Sequence, residues 1–204
     1  GLFSDLSERQ EANERINCLS SCDPLTDLPN RNLFADRLTQ SLANARRFNR
    51  ETAVILLDLD RFRFINDTLG PPVGDELLIE VSRRLNLQVR EGDTIGRRSG
   101  NEFGFVMANL SHERDVLALA QRMLDAIAVP FTIAGQTVVV TASIGISVSP
   151  RNGEDADAML KTADAALLRA KKGGRNTFRF YSPEMDIDAA RRLGRAVAAI
   201  GAAR

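Results

Sequence analysis

The sequence predicts an α/β (α+β) fold: a central mixed sheet of about five or six strands flanked by helices. Three observations carry this prediction. Behind a leading helix, strand-like and helix-periodic segments alternate in the order β-α-α-β-β-α-β-β-α-β. One continuous apolar run, "TAVILLDLD" (52–60), has the composition of a buried strand. Two small-residue turns, at Gly100-Asn101 and Ala134-Gly135, each lie between apolar runs, as hairpin tips do.

The elements follow in order. Residues 5–20 are polar and helix-prone, with only Ala12, Ile16 and Leu19 on one stripe, which suits a connecting or dimerising helix. "DPLTDLPNR" (23–31) supplies turn residues, and Asn30 is placed to cap a helix carrying Leu33, Phe34, Leu38, Leu42 and Ala45. The strand 52–60 ends in Asp58-Leu59-Asp60. A short helix over 61–69 stops at Gly70-Pro71-Pro72, and Gly74 or Asp75 opens the next, with Leu77, Leu78, Val81 and Leu85 inward. "DTIGR" and "EFGFVM" form the first hairpin. A helix over 112–128 buries Val116, Leu119, Ala120, Met123 and Ile127. "FTI" and "QTVVVTASIGISV" form the second hairpin. An Ala-rich helix, 155–171, ends at Gly173-Gly174, a good C-cap, and "RNTFRFY" is the last strand. The tail 183–204 is helical and Ala/Arg-rich, with too few large apolar residues for a core.

Composition excludes several functions. The chain of 204 residues is 44% hydrophobic and 26% charged, as in an ordinary globular protein. Lys+Arg 27 against Asp+Glu 27 leaves neither the basic excess nor the basic stripe of a nucleic-acid binder. No apolar run approaches the ~20 residues of a membrane span and no signal-peptide pattern opens the chain, so a cytoplasmic location is expected. Cys18 and Cys22 lack partners for a zinc site and read as reduced thiols. His112 is the only histidine, which removes His-based catalysis and His-rich metal centres.

Chemistry is concentrated in two places that such a sheet would bring together: Asp58-Leu59-Asp60 at the end of the first strand, and the hairpin tip from Ser99 to Glu102. Carboxylates from adjacent strand ends are a common way to hold Mg²⁺, which completes its shell with water and phosphate oxygens. Lys171, Lys172 and Arg175, at the end of a late helix, could meet those phosphates. Each piece has a plain structural explanation as a strand end, a helix-dipole partner or a turn. Together they point to a metal-assisted nucleotide site.

These motifs, "DPLTDLPNR", "DLDRFRFINDTLGPPVGDELL", "RRSGNEF", "VTASIGIS" and "ADAALLRAKKGGRN", resemble the GGDEF (diguanylate cyclase) family from about Asp23 to Tyr181. The resemblance implies a palm-like sheet akin to nucleotide cyclases, on which two GTP-loaded domains face each other and join their nucleotides into cyclic di-GMP. It places metal ligation on Asp58, the Leu59 carbonyl and Asn101. Guanine recognition falls on Asn66 and Asp75, and phosphate binding on Lys171, Arg175 and Arg63, the last where the family usually has lysine.

The departures lie at the centre of the signature. Ser99, Gly100, Asn101, Glu102 and Phe103 stand for Gly-Gly-Asp/Glu-Glu-Phe. Gly100-Asn101 makes as good a turn as Gly-Asp. An amide brings no charge to a metal, however, so the Mg²⁺ site is weakened. Ser99 adds a side chain where glycine lets backbone approach phosphate. Pro71 stands for a usual His and Leu168 for a common Tyr. Arg90 and Asp93 match the family's RxxD inhibitory site for cyclic di-GMP, with charge-assisted bonds from Arg90 and acceptance by Asp93.

The resemblance divides the chain into a connector helix (1–22), the GGDEF domain (23–181) and a linker helix (182–204), as in a PAS–GGDEF–EAL protein. The expected function is a catalytically degenerate GGDEF domain that binds GTP, cyclic di-GMP or both and regulates an attached EAL phosphodiesterase, with a homodimer as a further possible assembly. The alternatives are a weakly active cyclase using Asp58, Glu102 and Mg²⁺, and a dimerising spacer.

Overall fold

A computed structural model describes residues 21–183. The connector helix and the C-terminal linker expected at the ends, together with Cys18, fall outside those residues but for their innermost positions. The first described helix, α1 (Arg31–Arg47), begins as its sequence predicts: the Asn30 side chain accepts from the backbone N–H groups of Asn32 and Leu33. Strand β1 (Glu51–Leu59) leads into α2 (Phe62–Leu69) and α3 (Pro71–Asn86). The hairpin β2 (Thr94–Ser99) and β3 (Glu102–Leu110) follows, then α4 (Glu113–Ala128), β4 (Phe131–Ile133), β5 (Gln136–Val138), β6 (Ala142–Ser149), α5 (Ala156–Lys172) and β7 (Thr177–Phe180).

Five strands form one sheet in the order β2-β3-β1-β6-β7. All neighbours are antiparallel except β6 and β7, so the sheet is mixed as expected. Central β1 is continuously apolar from Ala53 to Leu57 because both of its faces are covered. Ala53, Ile55, Leu57 and Leu59 pack on one side with residues of α3 and α4, while Val54 and Leu56 pack on the other with Phe34, Leu38, Met159 and Leu167 of α1 and α5. A strand's period of two divides these cores, giving three layers, helix–sheet–helix.

Two expectations about element bounds are corrected. Helix α3 starts at Pro71, not at Gly74 or Asp75. Gly70 takes φ +88° and turns the chain, and a proline in the first turn loses nothing, since its N–H would have no helical partner there. The run 136–148 is not one strand. Its first part, β5, pairs with β4 in a separate two-stranded sheet, and its last part, β6, pairs with β1. The break falls where the chain changes partners, which apolar composition cannot reveal. Arg84 of α3 ties that small sheet to the domain. Its guanidinium donates to the carbonyls of Ala126, Val129 and Pro130 and lies 3.6 Å from the Phe131 ring centroid.

Candidate functional site

Register brings the acidic strand end and the hairpin tip together. Asp58 of β1 stands opposite Glu102 of β3 and Ser143 of β6, and the parallel β7 begins beside Ser143. The end of β1, the β2–β3 turn, the start of β6 and the C-terminal end of α5 therefore share one end of the sheet. Gly100, with φ +38°, makes the turn possible, while Ser99 is exposed at the end of β2.

The side chains at this end neutralise one another. Asn101 Nδ2 donates to Asp58 Oδ1 at 3.1 Å and to the Leu59 carbonyl at 2.8 Å. Lys171 Nζ lies 2.8 Å from Asp58 Oδ2. Sequence reasoning named Glu102 but missed its neighbours Arg98 and Asp164: Arg98 Nη1 lies 2.5 Å from Glu102 Oε1 and 3.7 Å from Asp164 Oδ1. Burial pushes the Glu102 carboxyl above its usual range, Arg98 offsets part of this, and the nearby Asp164 and Asp58 carboxylates add to it. Burial raises Asp164 as well, again partly offset by Arg98. A signal for Asp164 was available, because it lies two helical turns before Lys171 on the same face. Arg98 gave none, since its direction depends on the hairpin's bulged register between Arg97 and Ser99.

Asp60 has a structural task. It is buried, and it accepts from Thr141 Oγ1 and Ser143 Oγ, each at 2.7 Å, and from Asn176 N at 3.1 Å. These bonds hold the left-handed Arg175-Asn176 segment against the sheet end. Exposed Arg175 lines a recess of about 340 Å³ with Arg61, Phe64 and Ile65. Arg63 is exposed and lies 3.9 Å from Asp67.

The expected guanine pair lies at the junction of α2 and α3. Asn66 Oδ1 is buried without a hydrogen-bond partner, in the space left by Gly74: a Cβ there would stand 1.8 Å from that oxygen. Asp75 follows on the exposed side of α3. Pro71 opens that helix, and Leu168 is exposed on α5.

The implied Mg²⁺ does not fit these residues as they are arranged. Among the described residues, no group of three or more His, Cys, Asp or Glu side chains is placed to hold a metal ion. Asp58 and the Leu59 carbonyl face an amide N–H donor, and the other Asp58 oxygen faces an ammonium.

Arg90 and Asp93 lie apart from this site. Arg90 Nε is 3.2 Å from Asp93 Oδ2, and Arg90 Nη2 donates to the Ala108 carbonyl at 3.3 Å. Burial raises the Asp93 carboxyl despite Arg90. Both line a recess of about 200 Å³ with Arg122 of α4, a residue that no local pattern could single out. No described helix is long and apolar enough to cross a membrane.

The family model described as "Diguanylate cyclase, GGDEF domain" matches residues 20–177. The chain is 37% identical over 188 residues to the cyclic di-GMP phosphodiesterase NbdA of Pseudomonas aeruginosa, covering 92% of this chain and 24% of that protein. It is 39% identical over 182 residues to the bifunctional diguanylate cyclase/cyclic di-GMP phosphodiesterase MucR of the same organism, covering 89% and 26%. The chain thus spans about a quarter of the length of these relatives. Among solved structures, the GGDEF domain of TpbB (YfiN) from P. aeruginosa superposes with a TM-score of 0.81 at 34% identity, covering 83% of this chain and 99% of that one.

Proposed function

Because the chain belongs to the GGDEF family of diguanylate cyclase domains, we propose that it is a guanine-nucleotide-binding module of cyclic di-GMP signalling that has lost cyclase turnover and regulates an attached EAL phosphodiesterase. The observation that carries the binding half is Asn66. A buried acceptor with no partner costs free energy unless a ligand supplies the donor, and a guanine edge offers N–H groups. Asp75, exposed beside it, adds a charged acceptor. Arg175 and Arg63 supply positive charge for phosphates.

The regulatory half rests on the signature. Joining two GTP molecules requires charge stabilisation at an α-phosphate and in-line approach of a 3′-hydroxyl, and modest misplacement is costly. Asn101 brings no carboxylate, Asp58 is held by Asn101 and Lys171, and Glu102 is held by Arg98. These residues bind and orient but do not assemble a reactive centre. Arg90 and Asp93, with Arg122 beside them, are proposed to take cyclic di-GMP as a second ligand.

The test is calorimetry of the protein with GTP and ATP, run beside chromatographic detection of product. GTP should bind more tightly than ATP, Asp75→Ala should cost about 1 to 3 kcal/mol of binding, and no cyclic di-GMP should accumulate. Equal affinity for ATP would remove the guanine assignment, and steady product at the rate of ordinary cyclases would establish the enzyme instead.

A further inference from the structure

The acidic groups that a divalent cation would bind in this fold are already matched by donors and cations of the chain itself. Asp58 Oδ1 and the Leu59 carbonyl converge on Asn101 Nδ2 at 3.1 and 2.8 Å, and Asp58 Oδ2 meets Lys171 Nζ at 2.8 Å. The orientation of the Asn101 amide follows from its neighbours. Turned over, it would set its own oxygen against two acceptors, whereas the observed arrangement satisfies all three groups. We propose that Asn101 and Lys171 take the place of the divalent ion, so that this site binds its guanine nucleotide without metal. The proposal rests on the GTP-binding reading above and adds the cation independence of that binding.

The physical reasoning concerns what a metal would have to displace. Mg²⁺ demands near-octahedral oxygen ligands and favours carboxylates. To enter here it must break both Asn101 bonds, turn the amide over and move an ammonium off Asp58. It then gains one carboxylate, one carbonyl and one neutral amide oxygen. Lys171 already provides a positive charge at the same place, at the end of a helix anchored in the core through Ala163, Ala166 and Ala170. Arg98 neutralises the other acid of the signature, Glu102, from a side chain that is only 9% exposed. A phosphate approaching this end of the sheet therefore meets acids whose charge is already balanced.

The experiment compares the parent protein with Asn101→Asp. GTP affinity is measured by calorimetry in Mg²⁺ and in EDTA, and Mn²⁺ binding is measured by electron paramagnetic resonance without nucleotide. The parent should bind GTP with affinities that agree within about twofold in the two buffers, a difference well under 1 kcal/mol. It should also leave the free Mn²⁺ signal unchanged. Asn101→Asp should lose at least about tenfold of its GTP affinity in EDTA, because a carboxylate replaces a donor beside Asp58, and should recover it in Mg²⁺. It should also bind Mn²⁺. GTP binding by the parent that disappears in EDTA would overturn the inference while leaving the GTP reading intact. No GTP binding in either buffer would overturn the GTP reading and with it the claim of metal-free nucleotide binding. Mn²⁺ bound by the parent and lost in Asp58→Asn would show that Asn101 and Lys171 do not take the ion's place, whatever the nucleotide result.

Discussion

Gly74→Ala separates nucleotide recognition from stability, because the two should respond differently. In the interior of a helix, glycine to alanine ordinarily stabilises by about 1 kcal/mol. Here the new Cβ would stand 1.8 Å from Asn66 Oδ1, 2.9 Å from Asn66 Cγ and 3.3 Å from Phe62 Cζ. The Asn66 amide must swing away by more than an ångström to reach ordinary contact. That movement is cheap for the fold, since Asn66 Oδ1 has no hydrogen bond to lose. The residual crowding against Phe62 lies at the low end of the 1–3 kcal/mol typical of overpacking, so it and the helix gain should cancel to within about 1 kcal/mol. Binding has no such compensation. With Asn66 displaced from the guanine edge and a methyl group in its place, GTP affinity should fall by about tenfold or more, one good hydrogen bond's worth. The assay is a double-mutant cycle with Asn66→Ala, reading melting temperature and GTP calorimetry for all four proteins. In the Asn66→Ala background, Gly74→Ala should again leave stability within about 1 kcal/mol, because the Phe62 contact is still there, and should leave the weakened GTP binding where it was. Unchanged GTP affinity in Gly74→Ala alone would refute the role of Asn66. A loss of several kcal/mol of stability would refute the claim that the clash is relieved by the side chain.

Three other outcomes are expected. Gly145→Ala should destabilise by about 1 to 3 kcal/mol, because its Cβ would meet helix backbone, Ala163 O at 2.2 Å and Leu167 N at 2.3 Å, and only a shift of α5 can make room; chemical denaturation measures it. Asp23→Asn should destabilise at neutral pH, where Asp23 accepts from Arg97 Nη1 at 2.9 Å and from Thr26 Oγ1 at 2.7 Å. Burial alone would raise the Asp23 carboxyl, but these donors outweigh it and hold it below 3.8. Its contribution is therefore present above 3.8 and lost as pH falls through the lower folded value, so the difference between variant and parent in urea midpoint should close on acidification. A difference that is constant with pH would mean that ionised Asp23 is not what stabilises. Arg90→Ala should abolish cyclic di-GMP binding in calorimetry and leave GTP binding intact, and Arg122→Ala should weaken only the former; cyclic di-GMP binding that survives both changes would assign that ligand elsewhere.

The sequence by itself determined the order of the helices and strands, apart from the split within 136–148, and the chemical inventory of the candidate site apart from Arg98, Asp164 and Arg122. Those features are local: the Asn30 cap, the continuous apolar run in 52–60 and the small residues at Gly100-Asn101 act within a few positions of themselves. It also showed that Asn101 carries no charge. Only the tertiary structure decided what that amide does. The register of β1 against β3 sets Asn101 over Asp58 and Leu59, and the packing of α5 on β6 delivers Lys171 to the same carboxylate. The division of 136–148 between two sheets has the same origin, as does the meeting of Arg122 with Arg90 and Asp93. In each case the deciding partner lies far away along the chain, so no pattern of neighbouring residues could contain it. An asparagine that looks like a missing ligand in the sequence becomes, once the strands are paired, a donor held between two acceptors.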